Sequence, residues 1–298
     1  MNLHQLRIFH TVARLGSFSR AAEEMGISQP SVSIQVADLE RSLGVDLFEQ
    51  LGKRIYLTDA GRVLEDYARR ILALAEEAET AVAEVRGLLR GRLAIGASTT
   101  PGTYVLPRIL GHFQERFPQI NVTLEIANTR RIQERLLRNE LDLGVVGWEV
   151  TSHNLVVEPF LEDELVLVIP PSHPLAAAGT VSAQALREHR VIMRERGSGT
   201  REAVEGALGE VGVILVPAME FGSNEAVKEA VAGGLGIAIL SRLAVAAEMA
   251  SGRLVTVGLA DVKIRRRFYT VHHRDKRIGQ AMKAFFDMLH AAVHATAS

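Results

Sequence analysis

Apolar residues recur at helical spacing in three stretches near the N-terminus of the chain. The stretch Asn2–Leu15 predicts a first helix, and Ser17–Leu43 predicts two further helices joined by a tight turn. Gly26 ends the shorter of these two, because glycine adopts the left-handed conformation without steric cost. Ser28 caps the longer one, and Pro30 lies in its first turn, where a missing N–H does no harm. The pattern therefore indicates a helix-turn-helix.

The third predicted helix carries short polar side chains beside its apolar stripe. A helix with such a face can enter the major groove of DNA, where Gln and Ser can hydrogen-bond base edges. The residues expected on the DNA-binding face are Gln29, Pro30, Ser31, Ser33, Ile34 and Gln35. An ordinary helical hairpin with a solvated face has the same local pattern, so the flanking sequence decides between the two.

A β-hairpin is predicted after these helices. Leu47-Phe48 is apolar, Gly52-Lys53 forms a turn, and Arg54–Leu57 returns with alternating character. Three helices followed by such a hairpin are the arrangement of a winged-helix domain, here residues 1–58. Lys53 and Arg54 are expected at the tip of the wing, where basic side chains can reach phosphates or the minor groove.

A long helix is expected next, from Thr58 or Asp59 to about Arg90. Its apolar residues follow heptad spacing at Leu64, Tyr67, Ile71, Leu74, Ala78, Ala81, Val85 and Leu88. We favour a dimer seam at residues 59–90, because paired helices would present two DNA-reading domains to two half-sites. The alternative is a helix that packs only on its own domain.

The remaining residues, 91–298, alternate predicted strands and helices, which indicates a parallel sheet with crossover helices. Leu165–Ile169 is expected to begin a second set of these units, and Phe268–His272 to be a late strand before the closing helix. Two lobes result, one at about 91–163 and 269–298 and the other at about 164–268. The predicted fold class is α/β, with an all-α winged-helix N-terminal domain and a two-lobed C-terminal domain.

Composition is compatible with DNA binding but does not by itself indicate it. The 298 residues carry a net charge of −1, so phosphate contacts depend on locally placed Lys and Arg. The absence of cysteine excludes disulfides and fits a reducing compartment. No apolar stretch approaches the ~18 residues of a membrane span, and no signal-peptide pattern is present at the N-terminus. A cytoplasmic protein is expected.

Four predicted turns of the C-terminal domain are rich in hydroxyl groups or glycine, and each precedes a helix. They are Gly96–Gly102, Asn128-Thr129, Gly197–Arg201 and Gly222–Asn224. Convergent helix N-termini at the carboxyl ends of strands suit a small anion such as a carboxylate, phosphate or sulfate. The residues expected to contact it are Ser98, Thr99, Thr100, Thr129, Ser198, Gly199, Thr200, Ser223 and Asn224. Each of them could instead be a plain helix cap.

Arginines surround the third of these turns. Arg194, Arg196 and Arg201 could grip a carboxylate or phosphate with two parallel hydrogen bonds, and Arg194 is taken as an effector contact. Solvent-facing arginines paired with nearby glutamates are the alternative. Trp148, the only tryptophan, is also placed among the effector contacts, although packing filler is an equal possibility.

The remaining sequence features do not indicate a further functional site. Arg265-Arg266-Arg267 is interpreted as a solvated run, with a protein interface as the alternative. His272-His273 lacks further ligands at metal spacing, and Gly234-Leu235-Gly236 lies in the wrong order for a dinucleotide site. No catalytic constellation is recognisable. We therefore predict no enzyme activity, no metal and no cofactor.

A longer motif decides how the N-terminal helices are interpreted. The segment LHQLRIFHTVARLGSFSRAAEEMGISQPSVSIQVADLERSLGVDLFE, followed by LTDAG at Leu57–Gly61, resembles LysR-type transcriptional regulators, and the resemblance covers essentially the whole chain. It implies a winged helix, a dimerising linker helix and a co-inducer domain similar to periplasmic binding proteins. Members usually assemble as dimers of dimers. Among the four turns, the resemblance points especially to the first and the third.

The chain departs from this family at four positions. Ile34, Ala37, Gln50 and Tyr56 stand where relatives often carry Arg or Lys. Each missing phosphate contact flattens the salt dependence of DNA binding by about 0.9. Either DNA binding depends on avidity within the oligomer, or Ile34 makes an apolar base contact such as with a thymine methyl group.

The expected protein is a ligand-responsive transcription factor. Its expected partners are a double-stranded DNA operator, a small anionic effector, further copies of itself up to a tetramer, and RNA polymerase. Two alternatives remain: a solute-binding protein whose N-terminal helices only assist assembly, and an α/β enzyme that uses the cleft. DNA affinity separates the first alternative from the prediction, and turnover of a bound ligand would support the second.

Overall fold

The computed structural model describes residues 1–52, 54–85 and 91–296. The α-helices are α1 (Leu3–Leu15), α2 (Phe18–Met25), α3 (Gln29–Leu43), α4 (Asp59–Val85), α5 (Thr99–Tyr104), α6 (Leu106–Arg116), α7 (Thr129–Leu137), α8 (Gly199–Glu210), α9 (Asn224–Ala232), α10 (Arg242–Ala250) and α11 (Gln280–Thr296). The strands are β1 (Phe48–Leu51), β2 (Arg54–Leu57), β3 (Gly91–Ser98), β4 (Ile120–Ala127), β5 (Leu143–Val146), β6 (Leu155–Ile169), β7 (Thr180–Val181), β8 (Ile192–Arg194), β9 (Met219–Phe221), β10 (Ala238–Ser241), β11 (Val255–Leu259) and β12 (Ile264–His273).

The first three helices begin at the caps predicted from the sequence. Asn2 and Gln5 form a capping box at the start of α1, with bonds of 2.9 and 3.2 Å. Ser17 and Ser28 each accept a bond from the third backbone N–H of α2 and α3. Gly26 ends α2 with a φ of +66°, a conformation that favours glycine. The predicted helix-turn-helix is confirmed.

The predicted wing is a two-stranded antiparallel hairpin. β1 pairs with β2 so that Phe48 lies opposite Leu57. The Phe48 ring packs against Phe9 and Phe18, with ring centroids 5.3 and 5.6 Å apart. The hairpin is thereby attached to the core of the three helices. Lys53, predicted at the tip, lies outside the described residues.

Of the two alternatives considered for α4, packing on its own domain is confirmed for part of the helix, and the dimer seam stays a prediction. Ala68 and Leu72 are buried in the core of the N-terminal domain, so this part of α4 packs on its own domain. A second apolar stripe of α4 is exposed, at Val63, Tyr67, Leu74 and Val82. Neither α4 nor another helix of the described residues is long and apolar enough to cross a membrane.

The chain forms two compact units, the first containing α1–α4 and the second containing the α/β elements. The second unit is built on a sheet with the order β4-β3-β5-β12-β6-β11-β7, and β10 also pairs with β6. β3 pairs in parallel with β4 and β5, as the alternation of strands and helices predicts. The predicted parallel sheet is wrong for β6 and β12, because β6 pairs antiparallel with β10, β11 and β12, and β12 pairs antiparallel with β5.

Two strand starts predicted from the sequence are wrong. β6 begins at Leu155 rather than Leu165, and β12 begins at Ile264 rather than Phe268. The added part of β6 has an acidic end and the added part of β12 is basic, so apolar alternation does not identify them. The two segments pair, with Arg265, Arg266 and Arg267 opposite Glu164, Asp163 and Glu162. Opposite charges on facing strands favour this register.

Three further boundaries differ from the prediction. The first predicted turn is no loop, because β3 continues to Ser98 and α5 begins at Thr99. Two helices follow this strand in close succession, since α6 begins at Leu106. α10 and β11 were not predicted.

β6 and β12 pass through both lobes of the second unit. The first lobe packs around a core that includes Phe160 and Phe268, and the core of the second lobe includes Leu165 and Ile264. The change of lobe in each strand therefore falls between these pairs of residues. The adjacent antiparallel strands β6 and β12 therefore join the two lobes. Side chains midway along these strands lie where the two lobes meet.

Candidate functional site

The exposed face of α3 carries the residues predicted to read DNA. Val32, Val36 and Leu39 are buried in the N-terminal domain, which leaves the opposite face of α3 free. On that face the Gln29 Nε2 donates to Ser33 Oγ at 3.0 Å, which orients the two polar groups together. Ile34 is 58% exposed, an unusual fraction for isoleucine. The polar and apolar groups needed for direct readout lie side by side on one helix.

One basic side chain lies close to the tip in the described part of the wing. Arg54 is exposed at the start of β2. On the neighbouring strand, Gln50 Nε2 donates to the carbonyl oxygen of Gly52 at 3.0 Å. That bond closes the hairpin turn, so the side chain stabilises the wing.

In the second unit, Arg266 lies where side chains of the two lobes meet. Its Nη1 donates to Thr200 Oγ1 at 2.9 Å, and its Nη2 donates to Thr100 Oγ1 at 3.0 Å. Thr100 belongs to α5 in the first lobe and Thr200 to α8 in the second. One guanidinium group, 5% exposed, thus connects hydroxyl groups of both lobes.

Asp163 is the counter-ion of this buried cation. Its Oδ2 is 2.8 Å from both Nε and Nη2 of Arg266, and its Oδ1 accepts a bond from Ser241 Oγ at 2.7 Å. Burial lowers the pKa of Arg266, Asp163 opposes that shift, and the charge of Arg194 adds to it. The guanidinium group nevertheless stays charged, because arginine is not deprotonated in proteins.

Arg194 is a second buried guanidinium in the same place. Its Nη1 donates to Asn224 Oδ1 at 2.5 Å, its Nη2 donates to Thr99 Oγ1 at 3.2 Å, and its Nε donates to Glu195 Oε2 at 2.9 Å. The Asn224 Nδ2 donates to Thr100 Oγ1 at 3.3 Å, which links the two arginines. We call the following residues the inner network: Thr99, Thr100, Arg194, Thr200, Asn224 and Arg266.

The other predicted effector residues have different surroundings. Ser98 Oγ accepts a bond from the Gly147 N–H at 2.9 Å, and Ser223 caps α9. Thr129 Oγ1 is buried without a hydrogen-bond partner among the described residues. Gly199 touches Gly147 and Thr129 so closely that a Cβ atom would lie 2.9 Å from the Gly147 carbonyl carbon and from Thr129 Oγ1.

Trp148 and Arg201 do not join the inner network. Trp148 is half-buried against the core of the second lobe and lines a separate cavity. Arg201 is bound to Glu205 at 2.7 Å and to Glu220 at 2.8 Å. Burial lowers the pKa of Arg201, but the hydrogen bonds to these two carboxylates raise it more. The charge of Arg201 is therefore already compensated.

The interpretation of Arg265-Arg266-Arg267 as a solvated run is wrong for its middle residue. Side chains alternate between the two faces of a strand, so Arg265 and Arg267 are exposed while Arg266 points inward. Arg266 is the central residue that sequence reasoning missed. The acidic run Glu162–Glu164 is the signal that could have found it, because three matching charges suggest two paired strands.

Comparison with known proteins agrees with both units. Residues 3–62 match the model of the bacterial regulatory helix-turn-helix protein, lysR family, and residues 86–293 match the LysR substrate binding domain. The chain belongs to the LysR family of transcriptional regulators. As a LysR-type regulator it has a DNA-binding domain and an effector-binding domain, and the predicted family and fold class are confirmed.

Individual relatives are similar along most of the chain. A RuBisCO operon transcriptional regulator of Acidithiobacillus ferrooxidans is 43% identical, over 97% of this chain and 94% of that protein. The regulatory domain of CcmR from Synechocystis PCC6803, solved in complex with 2-PG, is 36% identical with a TM-score of 0.64, over 68% of this chain and 98% of that domain. Full-length OxyR from Pseudomonas aeruginosa shares the fold, with a TM-score of 0.74 at 24% identity over 99% of this chain and 95% of that one. The curated relatives are regulators and not enzymes.

A second connection between the lobes of this LysR-type regulator lies at Tyr104. The Tyr104 hydroxyl, at the end of α5, donates to Glu225 Oε1 on α9 at 2.7 Å. Lys228 binds Glu225 at 3.1 Å and Glu248 at 2.9 Å. Burial and the bond to Glu225 raise the pKa of Tyr104 to about 12, so its hydroxyl stays protonated and donating at neutral pH. The two lobes are thus held together beside the inner network.

The histidine pair near the end of β12 is structural. His272 is 9% exposed, and its Nδ1 lies 2.9 Å from the carbonyl oxygen of His273. No group of three or more potential metal-ligating side chains occurs in the part of the chain that the structure describes.

Proposed function

We propose that the inner network is the effector site of this LysR-type regulator and that the effector is a small metabolite carrying a phosphate or carboxylate. The observation that carries the proposal is the pair of buried guanidinium groups, Arg194 and Arg266, surrounded by hydroxyl groups of both lobes. Guanidinium groups bind carboxylate and phosphate with two parallel bonds, and burial strengthens such bonds. An anion there would contact both lobes at once.

The relatives support the same class of effector. The CcmR regulatory domain was solved with 2-PG, a small anionic metabolite, and the first relative regulates a RuBisCO operon. We infer that Ser98, Thr129, Ser198 and Gly199 form the wall of the site, because they are buried beside the inner network. Thr129 Oγ1 is the one buried hydroxyl of this wall, in the described chain, that lacks a partner. Ser223 caps α9, and Trp148 lines a separate cavity.

The effector site is tested by the thermal stabilisation that 2-PG produces. A ligand at a hundred times its Kd stabilises the folded state by about 2.7 kcal/mol. Thr100→Ala and Thr200→Ala each remove one hydroxyl near the anion, and a hydrogen bond to a charged group is worth about 1.5–3 kcal/mol. We therefore expect each variant to lose most of the 2-PG-induced shift in Tm while operator binding is retained.

The matched control is Thr103→Ala, because Thr103 is an exposed residue of the same short helix. It should keep the full shift. Equal shifts in the wild type, Thr100→Ala and Thr200→Ala would remove the inner network from the effector site.

For DNA, we propose that α3 enters the major groove and that Gln29, Ser31, Ser33 and Gln35 contact base edges while Ile34 contacts an apolar group such as a thymine methyl. The exposure of Ile34 and the orientation of Gln29 by Ser33 support this. Arg54 and Lys53 of the wing supply phosphate contacts. Pro30 supports the first turn of α3.

The proposed DNA surface predicts a weak salt dependence. Because Ile34 and Ala37 stand where relatives often carry a cation, the slope of log K against log salt should steepen by about 0.9 for each phosphate contact restored. Ile34→Arg/Ala37→Arg is the variant to compare with the wild type, by operator titration at several salt concentrations. Equal slopes for the two proteins would contradict the assignment.

We further propose that the exposed stripe Val63, Tyr67, Leu74 and Val82 of α4 forms the dimer contact and that two dimers make a tetramer. Effector binding would change how firmly the lobes close, and with it the spacing of the DNA-binding domains, DNA bending and contact with RNA polymerase. Such a switch requires that the effector bind the two states with different affinity.

A further inference from the structure

A cluster of charged and aromatic side chains lies beside the inner network and shares no residue with it. The cluster contains Tyr104, Glu225, Lys228 and Glu248, and we call it the interlobe latch. We propose that the interlobe latch holds α5 of the first lobe against α9 of the second, and that this restraint strengthens effector binding. The inference rests on the proposed function, because it concerns how firmly that effector site is assembled.

Tyr104 contacts the second lobe with both its hydroxyl group and its ring. The hydroxyl group donates to Glu225 Oε1 at 2.7 Å. The Lys228 Nζ lies over the ring, 5.6 Å from its centroid. A cation within about 6 Å of an aromatic centroid is attracted to the face of the ring. One side chain of the first lobe is therefore bound by two side chains of the second.

Lys228 is fixed in place by carboxylates of its own lobe. It is 6% exposed, and its Nζ lies 3.1 Å from Glu225 Oε1 and 2.9 Å from Glu248 Oε1. Burial lowers the pKa of Lys228, but the hydrogen bonds to Glu248 and Glu225 raise it more, so the ammonium group stays charged. The two groups that bind Tyr104 are therefore held by contacts within the second lobe.

The interlobe latch and the inner network lie on the same two helices. α5 begins with Thr99 and Thr100 of the inner network and ends with Tyr104. α9 begins with Asn224, which donates to Thr100 Oγ1, and continues directly with Glu225. A displacement of α5 from α9 at the interlobe latch would therefore also move hydroxyl groups of the inner network.

The interlobe latch favours the arrangement in which the inner network is assembled. The apparent affinity for a ligand falls with the fraction of molecules that are in the binding-competent arrangement. Breaking the latch lowers that fraction, so the effector itself must supply part of the restraint. Tyr104 is thus a positioning residue, which acts on the effector site through α5.

Tyr104→Phe tests the interlobe latch, because it removes the hydroxyl group and keeps the ring beside Lys228. The first measurement is hydrogen exchange of the α5 segment in the full-length protein without effector, since exchange reports local opening. Loss of one such hydrogen bond should accelerate the exchange of α5 by about threefold to tenfold. The second measurement is the Kd of 2-PG, which should rise at least about twofold as the open arrangement becomes populated.

A double-mutant cycle separates a contact between the lobes from two local effects. Tyr104→Phe and Glu225→Ala remove the two ends of one hydrogen bond. If that bond connects the lobes, the acceleration of α5 exchange in Tyr104→Phe/Glu225→Ala should be clearly less than the product of the two single effects. Independent effects, which multiply, would overturn the interlobe latch.

The matched control is Glu229→Ala, the same substitution on the same helix. Glu229 is paired with Arg253 of its own lobe at 2.8 Å, so Glu229→Ala should exchange α5 and bind 2-PG as the wild type does. Unchanged α5 exchange in Tyr104→Phe, or an equal acceleration in Glu229→Ala, would also overturn the interlobe latch. Accelerated exchange with an unchanged Kd of 2-PG would overturn its role in effector binding. A wild-type protein that does not bind 2-PG would instead contradict the proposed effector, and α5 exchange would still decide whether the latch exists.

Discussion

Replacing Arg266 with methionine should destabilise the C-terminal unit by about 3–5 kcal/mol, because Asp163 is left buried without its counter-ion. Asp163 Oδ2 lies 2.8 Å from both Nε and Nη2 of Arg266, and among the described residues Asp163 has one other side-chain partner, Ser241. Thr100 and Thr200 would lose a hydrogen-bond donor in the same step. Urea unfolding followed by the fluorescence of Trp148, which lies in this unit, measures the effect.

The neighbouring arginines provide the control for this experiment. Arg265 and Arg267 belong to the same basic run but point to solvent, so Arg265→Met and Arg267→Met should stay within about 0.5 kcal/mol of the wild type. The double variant Arg266→Met/Asp163→Leu should recover much of the loss, because an apolar pair can replace a buried ion pair. If Arg266→Met is as stable as Arg265→Met, the buried ion pair contributes nothing to the stability of this unit.

Replacing Gly199 with alanine should weaken the binding of the effector while operator binding is retained. The added Cβ atom would lie 2.9 Å from the Gly147 carbonyl carbon and from Thr129 Oγ1, so the lobes could not close as they do here. Overpacking of this kind costs about 1–3 kcal/mol, which corresponds to a loss of about 5- to 150-fold in affinity for a ligand that requires closure. The measurement is the Kd of 2-PG, together with the operator footprint with and without 2-PG.

Gly209 is the matched glycine on the same helix. A Cβ atom at Gly209 meets nothing within 4 Å, so Gly209→Ala should keep the 2-PG affinity. It should also stabilise α8 by roughly 0.5–1 kcal/mol, because alanine favours the helix. Wild-type affinity for 2-PG in Gly199→Ala would mean that the contact at Gly147 is not needed for binding.

The N-terminal domain could be predicted almost completely because its determinants are local. The caps Asn2, Ser17 and Ser28 act on the backbone three positions away. The motif LTDAG also has a structural reason within the domain, since a Cβ atom at Gly61 would overlap the carbonyl of Leu47. The exposed face of α3 follows from the helical period alone.

The candidate effector site was predicted only in part, for a physical reason. Thr99, Thr100, Thr200 and Asn224 come from the predicted turns, Arg194 lies beside one of them, and the structure brings these five side chains together. All of these turns follow the end of a strand, and the end of a strand can be recognised from the sequence. Ser223 has the same sequence signal, and in the structure its hydroxyl caps α9, because a hydroxyl group before a helix can serve either purpose.

The sequence by itself thus determined the family, the helix-turn-helix, the wing and most of the turns that approach the inner network. These features depend on caps, periodicity and motifs within short segments. Only the tertiary structure decided that Arg266 is buried, that β6 and β12 join the lobes, and that Trp148 lines a cavity outside the inner network. The partners of Arg266 show why: Asp163 is 103 positions away and Thr100 is 166 positions away along the chain. Whether a charged residue is solvated or buried depends on such distant partners, and no local pattern contains them.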